Sequence, residues 1–156
     1  MIDLLGEYEL AIDAKGRFLL PSSLRKQFPE GEGDRFVINR GFEYCLNIFP
    51  METWNNEKKK INELDDFDEE SRAFKRLFLN GASIVEIDSA DRLLLPKSLQ
   101  EFARIKKEAM LVAVGNKLEI WDKDTYYNFI NQNVSNFSNL AKTVMAKKPV
   151  NQEKHP

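Results

Sequence analysis

Short alternating runs open the chain and return in its second half. Residues 7–12, EYELAI, and 82–87, ASIVEI, have the period-two pattern of strands, the second rich in β-branched residues. After each comes a turn and another short apolar run, Arg17–Leu20 and Arg92–Leu95. Pro21 and Pro96 then suit the first turn of a helix, where a missing N–H costs nothing. Leu24 with Phe28, and Leu99 with Phe102 and Ala103, supply the buried face of that helix. Two further strands are predicted near 35–40 and 45–49, and again near 110–114 and 117–121. Gly115-Asn116 gives the later pair a tight hairpin signal. Between these blocks Met51, Trp54, Lys58, Ile61 and Leu64 recur at helical spacing, with the Lys58 stem able to cover apolar surface. A second linker helix is predicted to start in the acidic run around Asp66, with Glu69 completing a capping box. Its apolar residues are Phe67, Phe74, Leu77 and Phe78, and it ends before Gly81. Beyond about Asn131 the chain is rich in Asn, Ser and Lys, which predicts a frayed helix passing into disorder.

The two blocks are copies. Asp13-Ala-Lys-Gly-Arg-Phe-Leu-Leu-Pro-Ser-Ser-Leu24 returns 75 residues later as Asp88-Ser-Ala-Asp-Arg-Leu-Leu-Leu-Pro-Lys-Ser-Leu99, with seven of twelve positions identical. Average residue usage would give about one match by chance. Gly6 pairs with Gly81, Arg35–Ile38 with Met110–Ala113, Leu46–Phe49 with Leu118–Trp121, and Thr53-Trp54 with Thr125-Tyr126. A period this long is two copies of one supersecondary unit rather than a solenoid. The division that follows is 1–54 for the first copy, 55–80 for a helical linker, 81–130 for the second copy and 131–156 for a flexible tail.

At 156 residues, 42% hydrophobic and 31% charged, the chain has the composition of an ordinary globular protein. It lacks the run of roughly 20 apolar residues that spans a bilayer. MIDLLGEYEL has no basic region ahead of an apolar run, so it does not read as a signal peptide. The lone Cys45 has no partner for an internal disulfide or a thiolate zinc cluster. A cytoplasmic location is expected.

The net charge of −2 is unusual for a nucleic-acid partner, but the charges are unevenly placed. In window 13–26, Lys15, Arg17, Arg25 and Lys26 stand against Asp13, a net +3. Window 88–101 sets Arg92 and Lys97 against Asp88, Asp91 and Glu101, a net −1. A basic loop sets the local field at phosphate range whatever the rest of the chain carries. Lys15 suits phosphate as a mobile point charge. The planar fork of Arg17, and of Arg92 in the second copy, suits phosphate or a guanine edge with two hydrogen bonds. Gly16 frees the backbone to shape the turn and approach a partner. The competing view is structural: Asp13 and Asp88 cap their turns and pair with Arg17 and Arg92, and Lys15 is a solvated lysine.

Asp-x-x-x-Arg between two short strands, followed by Leu-Pro-x-x-Leu and present twice at equal offset, resembles the MraZ family over roughly residues 1–130. The resemblance implies a mixed β/α, mainly β fold. In it, two tandem AbrB-like swapped-hairpin repeats form a double-ψ-type barrel, with linker helices and a C-terminal helix or tail. It further implies a homo-oligomeric ring and nucleoid-associated, sequence-specific binding to double-stranded DNA at promoter repeats upstream of the division and cell-wall gene cluster. The first copy carries the fuller motif; in the second Lys15 is replaced by Ala90 and Gly16 by Asp91. Asp tolerates the left-handed backbone that Gly16 would adopt, but its carboxylate opposes phosphate.

Other chemistries find less support. Ser23-Leu24-Arg25-Lys26 fits Ser-x-x-Lys, yet the companion elements of that hydrolase chemistry are missing. Asp65, Asp66, Asp68, Glu69 and Glu70 lack the spacing and central glycine of an EF-hand loop, and read as a helix N-terminus. Cys45 alternates within an apolar strand and reads as core, and His155 near the C-terminus makes a poor general base. Phe49, Trp54, Trp121 and Tyr126 fall at paired positions and read as core or subunit interface. No enzyme, cofactor, metal, membrane or small-molecule substrate is expected. The rival partners are a toxin protein, for an AbrB-like antitoxin, or other proteins, for an assembly scaffold.

Overall fold

In the computed structural model, residues 2–147 are described. Two units can be distinguished, Met1–Lys123, which holds every strand among the described residues, and the segment from Asp124 onward. The first copy runs β1 (Glu7–Ala11), β2 (Arg17–Leu19), α1 (Ser22–Arg25), β3 (Arg35–Arg40) and β4 (Leu46–Pro50). Two helices follow, α2 (Met51–Asn62) and α3 (Glu69–Leu79). The second copy repeats the order: β5 (Ser83–Glu86), β6 (Arg92–Leu94), α4 (Lys97–Phe102), β7 (Glu108–Val114) and β8 (Lys117–Asp122). α5 (Lys123–Val134) and α6 (Phe137–Met145) complete the described chain. The tail expected to fray is thus helical to Met145. The disorder expected beyond it lies outside the described residues.

The copies do not fold side by side; their strands interleave. A six-stranded antiparallel sheet has the order β1-β7-β8-β4-β3-β5, and β2 pairs only with β6. Written by position within the repeat, the sheet reads 1-3-4-4-3-1. Phe18 lies opposite its own repeat mate, Leu93, and Asn47 opposite its mate, Glu119. An approximate two-fold axis therefore passes through both pairs. In place of the closed barrel that the resemblance implies, the main sheet is open, with β1 and β5 at its edges.

The register corrects one sequence alignment. β5 sets Val85 against Phe36, and β1 sets Leu10 against Ala109. Since Val85 is the mate of Leu10, Phe36 corresponds to Ala109, not to Leu111. The copies slip by two residues here, in the loop carrying Gly31 and Gly33, which is longer than its counterpart ahead of β7. A slip of two preserves the inward face, because strand side chains alternate with that period, and the burial patterns of β3 and β7 coincide at the corrected register.

Alternation splits the apolar residues between the two faces of the sheet. Phe36, Ile38, Ile48, Leu111 and Ile120 join Phe18, Leu93, Leu24 and Leu99 in a core under the β2·β6 ribbon, α1 and α4. On the opposite face Val37 and Phe49 meet Trp54 and Ile61 of α2 and Phe78 of α3, with the Trp54 and Phe78 rings stacked at 5.7 Å. Phe49, Trp54, Trp121, Tyr126 and Cys45 are all buried, as their positions predict. The Gly115-Asn116 turn joins β7 to β8, with Gly115 at φ +65° and Val114 opposite Lys117. Glycine at the first turn position suits a two-residue hairpin of the II′ type.

The second linker helix starts later than expected. Its cap is Asp68, whose carboxylate accepts from the backbone N–H and the hydroxyl of Ser71. Asp66 instead pairs with Lys75 at 2.5 Å, and Asp65 accepts from the Phe67 N–H. Phe67 therefore falls before the helix and is exposed, and Leu77 is also on the open side. Lys58 is likewise exposed.

Candidate nucleic-acid interface

The two Asp-x-x-x-Arg turns are built alike, bond for bond. Asp13 Oδ1 accepts from the backbone N–H of Lys15 at 2.9 Å and of Arg17 at 2.8 Å, while Oδ2 accepts from Arg17 Nε at 2.8 Å. Asp88 takes the N–H groups of Ala90 and Arg92 and Arg92 Nε, each at 2.9 Å. Three donors converge on each carboxylate, so the spacing Asp-x-x-x-Arg closes the turn between β1 and β2 and between β5 and β6. The Arg17 backbone N–H is the leading cause holding the Asp13 carboxyl below the usual carboxylate range; the Arg92 backbone N–H does the same for Asp88. Both arginines spend Nε on this pair. Their terminal nitrogens lie outside it.

Gly16 and Asp91, the fourth residues of the turns, sit at φ +88° and +61°. Asp91 follows the glycine geometry, as the substitution requires. The Gly16 carbonyl accepts from the Leu95 N–H at 2.9 Å, and the Asp91 carbonyl accepts from the Leu20 N–H at 2.9 Å. Each turn is thereby tied to the other copy. Gly16 is buried, and a Cβ there would lie 3.0 Å from Gln100 Oε1 and 3.3 Å from the Leu95 carbonyl. Its freedom serves a contact within the molecule.

The remaining basic residues separate into two kinds. Lys15 and Lys26 are exposed and have no ion-pair partner among the described residues. Arg25 is held by Asp34 at 2.6 Å through Nη2 and by Asp91 of the other copy at 2.5 Å through Nη1. Asp34 is the leading cause of its raised pKa, with the Asp91 charge adding to it. The Asp91 carboxylate, which the sequence sets against phosphate, is thus spent on Arg25. Neither Asp34 nor Asp91 was visible as an Arg25 partner, since Asp91 lies 66 residues away along the chain.

The fold and the turns define a class: a duplicated strand unit, interleaved about an approximate dyad, that presents two equivalent Asp–Arg turns beside a two-stranded ribbon. Two consecutive segments, 4–77 and 78–147, each match the family described as "MraZ protein, putative antitoxin-like". The chain belongs to the MraZ family. It is 44% identical to "Transcriptional regulator MraZ" of Christiangramia forsetii over 146 residues, covering 93% of this chain and 94% of the relative. The protein of the same name from Flavobacterium psychrophilum is 40% identical, covering 93% of both chains. That from Natranaerobius thermophilus is 36% identical, covering 90% of this chain and 96% of the relative.

Proposed function

We propose that the chain is a sequence-specific, DNA-binding transcriptional regulator that works without cofactor or enzymatic reaction. The observation that carries this reading is the pair of dyad-related turns on a chain whose relatives are named transcriptional regulators. Lys15, Arg17, Lys26 and Arg92 are the direct contacts to double-stranded DNA. Gly16 shapes the backbone of its turn, Asp13 and Asp88 hold the turns, and Arg25, paired with Asp34 and Asp91, adds its charge to the basic surface beside them. The target is a set of promoter repeats upstream of the division and cell-wall gene cluster, and a homo-oligomeric ring lets several weak contacts add on tandem elements. The cross-copy pairing of β1 with β7 and β5 with β3 supports an AbrB-type exchange of hairpins between halves at 1–54 and 81–130, with 55–80 as linker and 131–156 as tail. No helix among the described residues is long and apolar enough to cross a membrane. The regulator works in the cytoplasm, in association with the nucleoid.

The test is a titration of the whole chain against the DNA upstream of its own coding sequence and against a scrambled duplex, at rising salt. Preference for the upstream DNA, weakening steeply with salt, is expected, because phosphate contacts release counterions. Equal binding of both duplexes, or none, overturns the reading. Light scattering that gives a monomer at every concentration overturns the ring.

A further inference from the structure

The turns leave one neighbouring surface unexplained. Phe18 and Leu93 point into the core and are buried, whereas Leu19 and Leu94, on the same two strands, are 59% and 48% exposed. Opposite residues of an antiparallel pair share a face. Arg17 stands opposite Leu94, and Leu19 opposite Arg92. The outer face of the β2·β6 ribbon is therefore a four-residue patch, with leucines at the ends of one diagonal and arginines at the ends of the other. The approximate dyad exchanges Leu19 with Leu94 and Arg17 with Arg92.

We propose that this ribbon enters the major groove of duplex DNA and that Leu19 and Leu94 read thymine by packing on its 5-methyl group. The inference rests on the DNA-binding reading above and adds the specificity residues to it. A two-stranded ribbon fits the width of the major groove, where the thymine methyl is the apolar mark on the base edges. The arginine diagonal selects this occupant over an apolar protein face, which would have to bury Arg17 and Arg92 along with the leucines. In the groove the terminal nitrogens of both arginines meet guanine edges or phosphate while the leucines meet methyls. Dyad-related leucines touch thymines on opposite DNA strands.

Deoxyuridine in place of thymidine removes the methyl and nothing else, which makes it the probe. The shortest upstream segment protected by the whole chain is synthesised with single thymidine-to-deoxyuridine replacements, and affinity is measured for each duplex. Burial of one methyl group predicts a loss of about fourfold at each contacted thymine. Leu19→Ala should abolish that sensitivity at one position and Leu94→Ala at the dyad-related one, with the salt dependence and assembly mass of the parent chain retained. Leu19→Gln, which keeps side-chain length, should give the same loss of discrimination and serves if the alanine variant fails to fold. Salt-dependent preference for upstream DNA with no sensitivity to deoxyuridine overturns this inference alone. Sensitivity that survives both leucine substitutions also overturns it. A changed assembly mass in the leucine variants overturns it too, by assigning the patch to a contact between copies of the chain. Failure to bind any duplex overturns it together with the proposed function.

Discussion

A carboxylate that accepts two backbone N–H groups and a guanidinium has more to lose on protonation than one in water. Asp13 and Asp88 both have folded-state pKa values below the ordinary value. Their contribution to stability is therefore complete above the unfolded pKa of about 3.9 and disappears as pH falls through the lower folded value. Side-chain carboxyl 13C shifts followed down in pH should show both titrating below the ordinary aspartate value. Cys45 behaves oppositely: burial pushes its thiol up to about 12. Labelling by a thiol reagent at pH 8 should be slow in the native protein and rapid in denaturant, since the thiolate is the nucleophile. At the turns, Arg17→Ala should weaken DNA binding by about 1–3 kcal/mol per engaged turn. Arg92→Ala should cost less, because Lys15 has no counterpart beside it: Ala90 stands there. Affinity measured for both variants against the upstream duplex checks this, and equal losses would mean that the turns contribute alike.

Among the elements, α1 is only Ser22–Arg25, yet its last residue clamps Asp34 ahead of β3 and Asp91 between β5 and β6. Asp91→Asn tests that clamp. Asn tolerates positive φ much as Asp does, so the turn should survive while Arg25 loses one of its two carboxylates. The variant is expected to bind duplex DNA more tightly and with a steeper salt dependence, as read in the same titration. Much of this level was legible beforehand. The repeat, the prolines ahead of α1 and α4, the alternating burial of the strands and the Asp–Arg pairing all follow from short-range patterns. What escaped was longer in range. Alternation states which face a side chain takes but not which strand lies next to it, so the exchange of β1 and β5 between the copies left no local trace. Asp66 and Asp68 offer the same chemistry to a helix start, and the choice fell to Asp68 because Asp66 reaches Lys75. The exposure of Leu19 and Leu94 was not legible either, since the sequence does not say that β2 and β6 stand apart from the main sheet.

For the whole molecule, the order 1-3-4-4-3-1 means that neither copy owns a complete set of neighbours. A chain cut to residues 1–80 keeps β1 to β4 but lacks β5, β6, β7 and β8, the partners of β3, β2, β1 and β4. It should be unfolded as a monomer or should pair with a second fragment, setting Phe18 against Phe18 and Asn47 against Asn47. Circular dichroism with light scattering distinguishes either outcome from a folded monomer, which would contradict the interleaved arrangement. Synthesis of the intact protein meets the same condition in time. Tyr8 leaves the ribosome long before Leu111, the residue it will face. Until β7 emerges, β1 is a strand without a neighbour, and loop closure over that span is slow relative to local contacts. The nascent first half must wait with an open edge, where another nascent copy can take the vacant place. Translation pace and the shielding of that edge by chaperones therefore bear on whether the chain folds upon itself or tangles with its siblings.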